Sequence, residues 1–216
     1  PAAEEQFQRG LDLNPNHPEL RVLHSAFLAA MGRWQGAREG FQQSLESDPH
    51  NSYFRYFFGA QLIRLRRYDE AIAELHKVAT ADPNVRFARS VLSNAFHEKR
   101  MYKEALAETS NYFATVGDNQ VVEALARGYA EGGYAAAMLR AAEMLATPSS
   151  RGYVLPTTIA GYYVRAGQKD RALDWLEKAY QERDTILVYL NVTPIWDSLR
   201  SDPRFQDLLS RMRFPQ

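Results

Sequence analysis

Five histidines (His17, His24, His50, His76 and His97) and acidic neighbours such as Asp69 and Glu70 are the side chains here that could ligate a metal or move a proton. Metal binding needs such ligands close together on one helix face or loop, and none of the histidines stands at metal spacing from a second ligand. There is no glycine-rich phosphate loop, no nucleophile elbow and no zinc-binding histidine pair. The absence of cysteine excludes disulfides, thiolate metal sites and a cysteine nucleophile. A hydrolase built on paired carboxylates would need two acids facing one pocket, which spacing alone does not locate. Isolated polar residues on helices are ordinarily solvated surface. The expectation is a chain with no catalytic residues, no metal, no cofactor and no enzymatic activity.

What the sequence does concentrate is apolar recognition chemistry. The stretch "SYFRYFFGAQLIRLRR", Ser52 to Arg67, carries rings at Tyr53, Phe54, Tyr56, Phe57 and Phe58, more than the single stripe that a surface helix buries. Lys plus Arg equals Asp plus Glu at 26 each, so the basic surplus that drives phosphate-backbone binding is missing and no nucleic acid is expected on this region. No uncharged apolar run reaches membrane-spanning length, and the start "PAAEEQFQRG" has neither a basic nor an apolar leader region. The expectation is a soluble, cytoplasmic protein without a membrane.

The elements that must hold these rings are set by repetition. Pro15, Pro49 and Pro83 recur every 34 residues, as do Ala3, Ala37, Ala71 and Ala105, the aromatics Trp34, Tyr68 and Tyr102, and the bulky Phe7, Phe41 and Leu75. In one unit Gly59 lets two helices approach, Leu62 packs one turn later, Tyr68 opens the second helix, Ala71, Leu75 and Val78 line its buried face, and Pro83 ends it. This pattern resembles the tetratricopeptide repeat, whose helix–turn–helix unit has this period. The resemblance implies an all-α fold: a right-handed α-solenoid of antiparallel helix pairs with a C-terminal capping helix.

A half repeat and then five pairs are expected. Residues 1–147 read as the half repeat and four pairs, although Ala105 to Ala137 is 32 residues rather than 34. Residues 148–155 read as a loop or bend, 156–183 as a fifth pair, and 184–216 as a capping segment in which Trp196 and Leu199 cover the last pair. Within that segment Asp202 caps a helix, Pro203 takes its first position, and Phe205, Leu208 and Leu209 form its apolar face. The chain opens on what matches a second helix without its first, so it is expected to be a fragment of a longer protein. Its ending resembles tails that follow such repeats in multidomain bacterial regulators bearing a kinase, cyclase or DNA-binding domain.

In this family the first helix of each pair lines a concave groove. Placed in the repeat, Phe54, Phe58, Leu62 and Leu65 form the core stripe of their helix. Tyr53, Tyr56, Phe57, Ile63 and Arg64 are expected to face the groove, with Phe87, Asn94, His97 and Tyr129 on neighbouring first helices. Rings give contact area at small entropic cost, so the groove suits a peptide or protein segment with apolar anchors. Family members that grip a terminal carboxylate use Lys and Asn at two groove positions; here those positions hold Val22 and Ala26, Tyr56 and Ala60, Ser90 and Asn94, and only Asn94 fits. The expected function is therefore a non-catalytic scaffold for a protein or peptide. The alternative is a regulatory or self-association segment of a larger signalling protein.

Overall fold

The computed structural model describes residues 2–82, 85–147 and 152–214. Pro83, expected to end a helix, and residues 148–151 of the expected bend lie outside them. The described residues are helical throughout, without strands, in eleven α-helices and two 3-10 helices. In order these are α1 (Ala2–Leu13), α2 (Pro18–Ala30), α3 (Trp34–Ser47), α4 (Ser52–Arg64), α5 (Tyr68–Ala81), α6 (Phe87–Glu98), α7 (Tyr102–Thr115) and α8 (Asn119–Ala146). Then follow α9 (Pro156–Arg165), α10 (Lys169–Gln181), 3-10 helices at Thr185–Tyr189 and Pro194–Leu199, and α11 (Pro203–Met212). Each helix packs on the next, and first helices also touch one another, α2 on α4 and α4 on α6, which makes them the inner side of the stack. This is an all-α solenoid, and α3, α5 and α7 begin at Trp34, Tyr68 and Tyr102, the aromatics that mark the repeat.

The turn inside each pair follows from a backbone device. First helices end on a residue at positive φ, namely Gly32 (72°), Arg66 (59°), Arg100 (59°) and Gly167 (75°). The next N–H then reaches back five residues: Arg33 N–H donates to Leu28 O at 2.8 Å, Arg67 to Leu62 at 2.8 Å, Met101 to Phe96 at 2.9 Å and Gln168 to Tyr163 at 2.9 Å. That closure satisfies the last carbonyls and stops the helix within one turn. The starts are capped as well, with Asn51 accepting from Phe54 N–H and Asp118 from Val121 N–H.

A further 34-residue series ties each first helix to the chain just before it, a loop carbonyl in two cases and the last turn of α5 in the third. Arg21, Arg55 and Arg89 donate to the carbonyls of Pro15, Pro49 and Ala79, and the last two also pair with Glu74 and Glu108.

The fourth pair is built differently. α8 reverses at Gly132 and Gly133, the latter at φ 69°, ψ −154°, a conformation open to glycine alone. Its two halves fold against each other with almost no room: a Cβ on Gly128 would lie 2.6 Å from Ala136 O and 2.7 Å from Ala137 Cα. The compact reversal accounts for the 32-residue step.

After α10 the chain does more than cover the last pair. Leu187, Leu190, Trp196 and Leu199 are each 6% exposed or less and join the core that α9 and α10 supply. The second 3-10 helix continues across the inner side to α6. Asp184 fixes where this fold-back starts, accepting from the Thr157 N–H and hydroxyl of α9 at 3.0 and 2.7 Å and from Ile186 N–H at 2.9 Å.

Candidate functional site

The inner side of the stack is the surface on which the ring-rich helix α4 was expected to act. Phe54 and Leu62 are buried between pairs, as the core stripe requires, and Tyr53 stands out at 42% exposure. One repeat later, at the same register on α6, Phe87 is 59% exposed. Two large rings at equivalent positions of adjacent first helices face solvent with others behind them. Phe57 meets Tyr53 edge-on with centroids 4.7 Å apart and Tyr56 at 5.2 Å, and Tyr112 of α7 lies 6.2 Å from Phe87. Tyr129, on the first half of α8, is 40% exposed.

Three of the expected groove residues are used otherwise. Ile63 is 4% exposed, because it turns toward α6 and joins the core between the second and third pairs. Asn94 accepts a hydrogen bond from the Arg165 guanidinium of α9, which also donates to Ser93 Oγ at 3.3 Å. His97 stacks on Tyr134 at 5.7 Å, with Nδ1 3.1 Å from the tyrosine hydroxyl. Burial, helped by the charge of Arg165, pushes the His97 imidazole down to about 3, so the ring is neutral at ordinary pH. Asn94 and His97 thus tie the third pair to the fourth and fifth instead of presenting polar points to a ligand. Periodicity could not reveal this, since their partners lie at Tyr134 and Arg165, off the repeat.

Arg64 and Tyr56 mark where the fold-back closes the surface. The Arg64 guanidinium lies over the Tyr189 ring, 3.9 Å from its centroid, and Arg66 pairs with Asp197 at 2.6 Å. Burial lowers the Arg64 pKa and raises that of the Tyr56 hydroxyl. Among the described residues Arg64 has no carboxylate within ion-pair distance, and its Nε is buried without a hydrogen-bond acceptor. A desolvated cation costs several kcal/mol unless paired, and stacking on one ring returns only about 2 kcal/mol. Arg64→Leu is therefore expected to raise stability by about 1 kcal/mol, or Tm by about 2–4 °C, in a thermal melt of the free protein.

Is the fold-back a removable plug or a wall? Burying Leu187, Leu190, Trp196 and Leu199 at about 1.5–3 kcal/mol each gives about 6–12 kcal/mol. A partner binding at micromolar strength has about 8 kcal/mol in all. Peeling the segment away would consume that free energy, so the segment is a fixed wall. Outside it Tyr53, Phe87 and Tyr129 stay exposed, while Phe57 is partly buried against the core.

Among the described residues no group of three or more His, Asp or Glu side chains converges as a metal set, and no helix is long and apolar enough to cross a membrane. Residues 28–93, from within α2 into α6, match the family model described as tetratricopeptide repeat. No curated protein matches the chain. Tetratricopeptide repeats generally serve as non-enzymatic scaffolds for protein–protein contact.

Proposed function

Taking the chain as a tetratricopeptide repeat protein, we propose that it binds a segment of a partner protein on its inner face, with Tyr53, Phe57 and Phe87 as apolar anchors and Tyr129 extending the surface. The observation that carries this is the pair Tyr53 and Phe87, 42% and 59% exposed at the same position of neighbouring repeats. A large ring about half exposed forgoes about 1 kcal/mol of burial, and two in register offer a partner that free energy at one place. Rings backed by other rings are also held still, so little side-chain entropy is lost on docking.

The test is a Tyr53→Ser, Phe87→Ser double variant. Neither ring is buried, so the fold is expected to stay intact by circular dichroism, while affinity for a partner-derived segment falls at least about 100-fold in a titration. Undiminished binding by the folded double variant would overturn the assignment.

A further inference from the structure

Resting on that reading of the inner face, we propose that Arg64 is its anion-binding point, and that it takes an Asp or Glu side chain of an extended partner segment whose apolar neighbours lie on Tyr53, Phe57 and Phe87. Among the described residues the other arginines that are at least partly buried are satisfied within the chain, Arg21 on the Pro15 carbonyl, Arg67 on Glu70 and Arg200 on Asp197 among them. Arg55, Arg66, Arg89, Arg140, Arg171 and Arg211 each meet a carboxylate. Arg165, which has none, donates to Ser93 and Asn94 instead. Arg64 has neither, although it is drawn out of water and fixed in place by Tyr189.

A guanidinium stacked on a ring keeps its N–H donors in its own plane. Planar donors of this kind receive a carboxylate edge-on with two parallel hydrogen bonds. The hydroxyls of Tyr56 and Tyr189 belong to the same electrostatic neighbourhood and have no hydrogen-bond acceptor among the described residues. They are two further donors for an incoming anion. Asp197, the acid of the second 3-10 helix, is held between Arg66 at 2.6 Å and Arg200 at 2.7 Å.

A single cation among phenols suits one carboxylate rather than a polyanion, and the balanced net charge of the chain agrees. Spacing sharpens the requirement. Tyr53 and Arg64 stand eleven residues apart on α4. That separation is about 16 Å along a helix, which an extended segment spans in about five residues. The acid of the partner should therefore lie about five residues from its first aromatic or aliphatic anchor. The positions with which carboxylate-gripping relatives work hold Tyr56 and Ala60 on α4, so Arg64 is a separate site.

The test uses a randomised peptide display library selected on the immobilised protein, followed by anisotropy titrations of the selected peptides carrying fluorescein. The selected sequences are expected to share an acid about five residues from an apolar anchor. Replacing that Glu by Gln should weaken binding to the unaltered protein about 10- to 100-fold and change nothing on Arg64→Leu. Arg64→Lys and Tyr189→Phe, which keep the bulk at both places, should each lose part of the preference and serve if Arg64→Leu does not fold. Peptides that need Tyr53 and Phe87 yet bind equally as Glu and Gln forms would overturn the role of Arg64 while leaving the docking face standing. A library that yields no peptide dependent on Tyr53 and Phe87 overturns both.

Discussion

Trp196→Ala is expected to lower stability by about 3–5 kcal/mol, the usual cost of emptying a buried indole site, and to loosen the far end of α4 as well. The first effect follows from burial: Trp196 is 6% exposed and sits in the core shared with α9 and α10. The second follows from where its 3-10 helix leads. In a simple stack each repeat feels only its neighbours, so damage beside the fifth pair should die out before the second. Here the fold-back carries Tyr189 onto Arg64 and Asp197 onto Arg66, which joins the last pair directly to α4. Amide exchange of residues 62–66 should therefore speed up in the variant, together with that of α9 and the 3-10 helices. Loss of protection confined to α9–α11 would show that the cross-link has no energetic weight, and the wall would then be an end cap alone.

The 34-residue series carried most of the fold because each repeated residue has a local task. Aromatics at Trp34, Tyr68 and Tyr102 open second helices, alanines at Ala37, Ala71 and Ala105 sit where helices nearly touch, and all three alanines are fully buried. Two further series of the same period have tasks that residue type alone does not announce. Gly32, Arg66 and Arg100 share the turn conformation, and Arg21, Arg55 and Arg89 hold each first helix to a carbonyl of the chain just before it. Arginine on a helix is normally read as solvated, so its backbone contacts leave no compositional trace.

The candidate site was legible only where it obeys the period. Tyr53 and Phe87 share a register, and both stand exposed on α4 and α6. Ile63, Asn94 and His97 share such registers too, yet what meets them lies off the repeat: the α4–α6 contact, Arg165 and Tyr134. Arg64 is the clearest case. Its covering ring, Tyr189, comes from beyond the last repeat, in a segment whose spacing says nothing about where it folds. Periodicity gives neighbours along the stack, and it is silent on a strand of chain that returns across it.

Gly128→Ala is expected to destabilise the protein by about 3 kcal/mol, a large effect for one methyl group. The added Cβ would meet Ala136 O at 2.6 Å and Ala137 Cα at 2.7 Å, and both atoms are backbone of the opposing half of α8, which cannot swing aside as a side chain can. Relief requires the halves to part, and that uncovers Ala137, Met138 and Ala141, all fully buried. Two other helical glycines set the scale. At Gly59 the new methyl would face the Leu75 side chain at 2.6 Å, which can change rotamer, so a smaller loss is expected. At Gly161 the nearest atom would be Ile195 Cδ1 at 3.9 Å, an ordinary contact. Removing a glycine from α9 there should leave stability unchanged or raise it by about 0.5–1 kcal/mol. Urea unfolding of the three variants should thus rank Gly128→Ala below Gly59→Ala and Gly59→Ala below Gly161→Ala. A Gly128→Ala protein as stable as the parent would mean that the reversal at Gly132 and Gly133 does not close as tightly as 2.6 Å demands, and the short fourth repeat would need another explanation.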